Sequence, residues 1–346
     1  MPAVPLTTMP QRITILGDGA MGTVCSILLT ANRHRVTLWG AIEENIERLL
    51  QDREQRLFLP GVRVPDGVRL TANEQECFEG AELILSAVPS QYVRSVWERV
   101  AGHVPRGVPI LSVTKGIENG TLLRPSQIIR DVLAHGVHRP DLRIAVLSGP
   151  NIAAEIARYL PATAVVASDD ESLAQAIRST IATGWFRVYT NDDVIGVELS
   201  AAAKNVIAIA AGIIDGLGAG SNAKAALVTR GLVEITRLGV AMGARAATFG
   251  GLAGIGDLIT TCISPEGRNR FVGEQLGKGR KLDDILSNMA SIAEGVPTTR
   301  SVMELAGRHK VEMPITEAVH AVLFEGKDVL NALSELMSRE PKPEGA

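Results

Sequence analysis

Aromatic residues are scarce in this chain. Phe, Trp and Tyr make up 3% of its 346 residues, too few for the stacking platform that single-stranded nucleic acid needs. A basic excess is missing too: 35 Lys and Arg stand against 38 Asp and Glu, a formal charge of -3. No pool of cations is left to neutralise a nucleic-acid backbone, so no nucleic-acid partner is expected. Cysteine is rare, at Cys25, Cys77 and Cys262. An odd count at wide spacing offers neither a disulfide framework nor a metal site, and fits reduced thiols in a cytoplasmic protein. The first ten residues carry no apolar signal core. The most apolar stretch, 205–214, falls short of the ~20 residues that a membrane span requires. Glycine, by contrast, is plentiful at 34, and hydrophobic residues reach 46% against 21% charged. That is a globular composition with a core of Ala, Val, Ile and Leu, and its length suggests two domains.

Short β-rich runs at 12–16, 35–39, 83–88, 109–113 and 144–147 alternate with helical sequence in the first half, and two more lie at 164–167 and 186–189. Strand and helix in repetition predict a mostly parallel sheet with helices on both faces. The pattern changes near Asp193. Residues 195–214 are apolar at nearly every position, which marks a buried helix. Helical periodicity continues at 223–238, 257–262, 266–278, 282–289, 298–308 and 316–324. The predicted architecture is an α/β dinucleotide-binding domain, 1–193, followed by an all-helical domain, 194–346, with a frayed tail from Pro341.

Gly17-Asp18-Gly19-Ala20-Met21-Gly22 directly follows the first strand and opens the first helix. In that setting the three glycines predict a pyrophosphate site on the helix N-terminus. The acid usually found at the end of the second strand, where it holds the adenosine ribose, is absent: the corner reads Leu38-Trp39-Gly40-Ala41. NAD and NADP therefore both remain open. Asp18, set inside the turn near a pyrophosphate, is expected to point outward or to cap a backbone N–H.

Val88-Pro89-Ser90, Thr114-Lys115-Gly116 and Ser148-Gly149-Pro150-Asn151 all fall at C-terminal strand ends, where ligands of open α/β sheets bind. Lys115 is a candidate site cation. Lys204 interrupts the buried run together with Asn205, and a buried lysine is costly unless paired or functional. Desolvation and Lys115 are expected to lower its pKa into the range useful for proton transfer. Gly254-Ile255-Gly256-Asp257 enters a helix, with Thr260 and Thr261 following. Further on, Ser264 and Pro265 look like the N-cap and first position of another helix. That would put Gly267, Arg268 and Asn269 where helix N–H groups and a guanidinium can hold a phosphate monoester.

These blocks, in this order, together with Phe186-Arg187-Val188-Tyr189, Glu294-Gly295 and Val311-Glu312-Met313-Pro314-Ile315, resemble the bacterial-type NAD(P)-dependent glycerol-3-phosphate dehydrogenase family from about Ile13 to Gly326. The resemblance implies reduction of dihydroxyacetone phosphate to sn-glycerol 3-phosphate for phospholipid synthesis, with NAD or NADP, no metal, and a possible homodimer. Carried over, Lys204 is the catalytic lysine, with Lys115 and Asp257 beside it. Gly149, Asn151, Gly267, Arg268 and Asn269 fall with the substrate. Gly17 to Gly22, Trp39, Pro89, Lys115, Ala153, Arg268, Ile292 and Glu294 fall with the cofactor. The chain departs from the family pattern at Asp18, Ala41, Asn151 and Gly267. The expected chemistry is hydride transfer, with Lys204 as acid in reduction and base in oxidation. The rivals are a dehydrogenase of a 3-hydroxy or keto acid, and a nucleotide sensor without turnover.

Overall fold

The structure, a computed structural model, describes residues 9–135, 139, 141–289 and 291–340; the tail from Pro341 lies outside them. Eight strands form one sheet: β1 (Arg12–Leu16), β2 (Arg35–Trp39), β3 (Arg69–Thr71), β4 (Leu83–Ser86), β5 (Ile110–Ser112), β6 (Ile144–Ser148), β7 (Ala162–Ala167) and β8 (Phe186–Asn191). Their order is β3-β2-β1-β4-β5-β6-β7-β8, and only β7 runs antiparallel to its neighbour β6. Strands β1, β4 and β6 are buried on both faces over almost their whole length, which is why they read as unbroken apolar runs. β3 escaped the sequence reading because three residues are too few to show a period.

Helices α1 (Ala20–Ala31), α2 (Glu43–Asp52), α3 (Val93–Val100), α4 (Pro125–Ala134), α5 (Ala153–Ala157) and α6 (Glu171–Ile181) complete the α/β half. Strand order reverses between β1 and β4, and that switch point is where an open sheet of this kind leaves its ligand crevice. The turn there depends on Gly17. It has φ of 115°, and a Cβ on it would lie 2.7 Å from the Ala87 carbonyl oxygen.

The second half is all helix: α7 (Val194–Gly216), α8 (Gly220–Ala241), α9 (Ala246–Phe249), α10 (Asp257–Ile263), α11 (Arg268–Gly277), α12 (Leu282–Ser287), α13 (Gly295–His309), α14 (Pro314–Phe324) and α15 (Val329–Ser338). α7 is its axis, buried from Gly196 to Ile214. Asp193 pins its start by accepting from the N–H of Gly196 at 2.8 Å, the N–H of Arg245 and the hydroxyl of Thr248. At 23 residues α7 is longer than the sequence run suggested and could cross a bilayer by length and composition, yet it is enclosed by the protein on all sides. The segment Ala246–Ile263, which passes the same test, is α9, a π-helical turn at Leu252–Gly256, and α10. α11 lies against α7 so closely that a Cβ on Gly277 would meet the Gly216 Cα at 2.9 Å. Near the other end of α11 a Cβ on Gly212 would run into the Arg270 carbonyl oxygen, which sets the start of α11 beside the second half of α7.

One helix start differs from the expectation. Ser264 is not an N-cap; it ends α10, and its carbonyl takes the N–H of Gly267 at 3.1 Å. α11 begins at Arg268 with Gly267 as its cap. The Ser-Pro pair makes a turn between two helices because the Ser264 oxygens close it locally onto Glu266 and Gly267.

Candidate active site

Three charged side chains from distant parts of the chain meet where the two halves join. Asp257, first residue of α10, lies between two lysines. Its Oδ2 accepts from Lys115 Nζ at 2.8 Å, and its Oδ1 stands 3.2 Å from Lys204 Nζ. Lys115 comes from the loop after β5, Lys204 from the middle of α7. Asp257 continues directly from the π turn, its N–H already bonded within that turn to the Leu252 carbonyl. Burial pushes its carboxyl up, but Lys115 and Lys204 outweigh burial and hold it below the usual range.

The two lysines differ in what they hold. Lys115 donates to the Gly149 carbonyl at 3.1 Å, to Asn151 Oδ1 at 2.6 Å and to Asp257. An ammonium has three protons, so all three are engaged. Among the described residues Lys204 donates to Thr261 Oγ1 at 2.6 Å and faces Asp257, which leaves one proton over. Burial, with help from Lys204, brings Lys115 down to about 8 against the pull of Asp257.

Thr261, Ser90 and Ser148 stood in the sequence blocks singled out above but were given no role of their own. Thr261 lies one helical turn after Asp257 and donates to Asp257 Oδ1 at 3.2 Å; the i, i+4 spacing was the available signal. Ser148 Oγ reaches Asp257 Oδ2 at 3.4 Å. Asn151 Nδ2 is buried with no partner among the described residues, a free donor next to the lysines.

At the other end of the crevice, the N-terminus of α1 is uncapped by any side chain and has no acid in its first turn. Its N–H groups, with Ala20 and Met21 at its start, face the opening at Gly19, around which a Cβ would meet nothing within 4 Å. Asp18 does not point outward. It turns under α2 towards Asn45 while also meeting its own backbone N–H, and burial raises its pKa. Trp39, expected against a cofactor, is fully buried instead, its Nε1 donating to the Ala72 carbonyl at 3.0 Å. An indole with its N–H satisfied in the core stays there.

Arg268 opens α11, and its Nη1 donates to the Ile292 carbonyl at 2.8 Å. Asn269 is buried and accepts the N–H of Gly295 at 2.8 Å, which leaves its Nδ2 as a donor. Glu294 crosses the crevice: it takes the N–H of Ser90 at 3.1 Å and also the Ser90 hydroxyl. Pro89 precedes that contact, and Ala153 opens α5 just after the Gly149–Asn151 loop.

Two family models match. One is described as NAD-dependent glycerol-3-phosphate dehydrogenase N-terminus, over residues 12–174; the other is the C-terminus of the same, over residues 193–334. The chain is 47% identical over 332 residues to glycerol-3-phosphate dehydrogenase [NAD(P)+] of Prosthecochloris aestuarii, covering 96% of this chain and 99% of that one. It is 46% identical over 337 residues to the protein of that name from a Geobacter species, covering 97% and 100%. Among solved structures it is similar to the glycerol-3-phosphate dehydrogenase of Coxiella burnetii, with TM-score 0.91, 35% identity, and 96% and 100% of the two chains covered.

Proposed function

The chain belongs to the NAD-dependent glycerol-3-phosphate dehydrogenase family, and we propose that the Lys204–Asp257–Lys115 cluster is its catalytic centre. The enzyme interconverts dihydroxyacetone phosphate and sn-glycerol 3-phosphate with NAD or NADP. The proton left over on Lys204, set against the fully engaged Lys115, carries the assignment of roles.

A dinucleotide fits the opening over Gly19, where nothing occupies the space before the bare N–H groups of α1. When bound there, the nicotinamide supplies the hydride for the ketone carbon or accepts it in reverse. The remaining work falls to the protein. Lys204 offers its free proton to the ketone oxygen and gives it up as that oxygen becomes an alkoxide. In oxidation the neutral amine takes the hydroxyl proton. Lys115 has no proton to give, and serves as a fixed positive charge near the developing oxyanion. Asp257 holds both lysines and keeps their charges from repelling each other apart.

Phosphate recognition falls to the start of α11. No side chain caps that helix at Gly267, so its N–H groups and the second arm of the Arg268 guanidinium can face a phosphate, with Asn269 Nδ2 beside them. Asn151 Nδ2 is placed to meet a triose oxygen. Ile292 and Glu294 close on the nucleotide side, Ser90 tying Glu294 in place. The exposed Ile259, Ile263 and Phe271 on α10 and α11 support a homodimer. The family models, one per half, support two domains dividing at Asp193. The three buried, free cysteines support a cytoplasmic location.

The purified chain, mixed with NADH or NADPH and dihydroxyacetone phosphate, should bleach the reduced-nicotinamide absorbance. Unphosphorylated dihydroxyacetone should be a poor substitute. Equal rates with both ketones, or a preference for a keto acid, would overturn the substrate reading.

A further inference from the structure

An acid at the end of the second strand normally reads the adenosine ribose, and here the strand runs out at Trp39 into Gly40 and Ala41. The space such a side chain would enter is occupied from elsewhere. A Cβ on Gly40 would lie 2.9 Å from the carboxyl carbon of Asp18. Asp18, second residue of the glycine-rich turn, has carried its carboxylate from the turn to the strand end, and the missing side chain of Gly40 makes the room.

The carboxylate is only partly satisfied there. It meets its own backbone N–H and the Asn45 side chain, and the turn is fastened by Gln55, whose Nε2 donates to the Asp18 carbonyl. Oδ2 is buried and has no partner among the described residues. A buried acceptor without a donor is destabilising, and a hydroxyl from outside would relieve it. A cavity of about 190 Å³ lies alongside, lined by Asp18, Asn45, Arg48, Gln55, Leu57 and Phe58 among others. The last torsion of an aspartate is broad, so either oxygen can turn to that cavity.

We propose that Asp18 replaces the strand-end acid: its carboxylate accepts the hydroxyls of the adenosine ribose and makes NADH the favoured cofactor over NADPH. A 2′-phosphate would bring two further negative charges against that carboxylate. Each neighbouring cation has a carboxylate of its own beside it. Arg99 donates to the Ala41 carbonyl at 2.8 Å and to Glu74, while Arg48 faces Glu44 and Arg56 faces Asp52. The inference rests on the reading of the glycine turn as the dinucleotide site.

Fluorescence titration of the purified chain with NADH and with NADPH, with no substrate present, tests it. NADH should bind at least about tenfold more tightly, the weight of one charge-assisted hydrogen bond. Asp18→Asn should weaken NADH by about tenfold and leave NADPH within about threefold, or tighten it. The idea is overturned if wild type binds both alike or prefers NADPH. It is equally overturned if Asp18→Asn weakens both in the same proportion, which is the mark of a residue that only shapes the turn, or if it weakens neither. If neither nucleotide binds the wild type, the dinucleotide reading itself fails. Should the variant not fold, displacement of NADH from the wild type by ADP-ribose and by its 2′-phosphorylated form replaces it. The phosphorylated form should be about tenfold weaker, and equal displacement defeats the proposal.

Discussion

The two halves of the molecule bring their polar groups to the site in opposite ways. The α/β half delivers Lys115, Gly149 and Asn151 from loops just past strand ends, where the backbone is irregular and its carbonyls are free to take part. Lys115 accordingly spends its protons on a main-chain oxygen, an amide and a carboxylate. The helical half delivers Lys204 from the middle of a helix whose carbonyls are already committed to the helix itself. Lys204 finds only side-chain partners, Thr261 and Asp257, and keeps one proton free. The lesson is that secondary structure itself divides the labour. A lysine among loop carbonyls becomes a saturated, immobile charge, whereas a lysine on a buried helix stays under-coordinated and therefore able to act on a substrate.

The division is broken most severely at Lys204. Lys204→Met should lower kcat by ~10³-fold or more, with the loss of both proton transfer and charge stabilisation, while titration with NADH stays close to wild type. Retention of a tenth of wild-type kcat would show that Lys204 is not the acid. The same comparison makes a pH prediction for the other lysine. Since Lys115 titrates at about 8 and works as a cation, kcat/KM for ketone reduction should fall as pH rises through 8. kcat/KM reports the free enzyme, so a profile flat to pH 10 would remove Lys115 from that role.

Arg268 comes next. One arm of its fork is tied to the Ile292 carbonyl, so only the other arm is left for phosphate and substitution removes one charge-assisted contact to it. At roughly 1.5–3 kcal/mol for such a bond, Arg268→Ala should reduce kcat/KM for dihydroxyacetone phosphate by about 10- to 200-fold. Dihydroxyacetone without phosphate should hardly register the change. Equal losses with both ketones would move Arg268 from the substrate to the cofactor or the fold.

Legibility in the sequence follows the same division. The strand-end loops announced themselves through Gly, Pro and Ser after apolar runs, and every major strand of the sheet core was marked by an unbroken β-rich stretch. Lys204 was legible as a charge, with Glu198 before it, in a run of otherwise mostly apolar residues. The start of α11 was misplaced because Ser264-Pro265 also suits a turn between helices, and only the tertiary packing of α11 on α7 decides between the two. Trp39 could be placed on a strand but not on a face of it, and the face that won is the buried one. Thr261, a small hydroxyl in a helix, is marked only by its spacing of four from Asp257, and β3 is too short to show a period.

Thr261 sharpens the comparison at moderate size. It is the one neutral partner of Lys204 among the described residues and also touches Asp257. Thr261→Val keeps the shape and removes the oxygen, so Lys204 gains a second unassigned proton and loses its fixed direction. A loss of about 10-fold in kcat is expected, the weight of one hydrogen bond to a charged group, with KM for dihydroxyacetone phosphate little changed. Thr261→Ser should restore most of the rate. If Ser behaves like Val, the threonine acts through its methyl and packing.

The smallest effect on turnover belongs to Glu234, and it tests how far a buried charge in the helical half implies catalysis. Glu234 sits on α8, buried like Lys204, and by the same sequence logic would qualify as a functional anomaly. Its surroundings say otherwise. The carboxylate accepts the N–H of Ile315 at 2.8 Å and the N–H of Thr316 at 3.3 Å, so it serves as the missing side-chain cap of α14, whose first residue is Pro314. Burial pushes its pKa up to about 7 despite those two N–H groups. A carboxyl raised in the folded state binds its proton more tightly there than in the unfolded chain. Its contribution to stability is therefore full below the unfolded value near 4.3, declines as pH rises towards 7, and is flat beyond. The total decline is on the order of 3 kcal/mol. Glu234→Gln keeps an acceptor for α14 and cannot ionise, so the stability difference between the variant and wild type should shift in the variant's favour by about that amount from pH 4.5 to pH 8. Urea unfolding at both pH values measures the shift, and kcat should not change. A shift in the other direction would mean that the ionised carboxylate is worth more to α14 than its desolvation costs. A fall in kcat would mean that α8 reaches the site after all, and that a buried charge anywhere in this half speaks for chemistry.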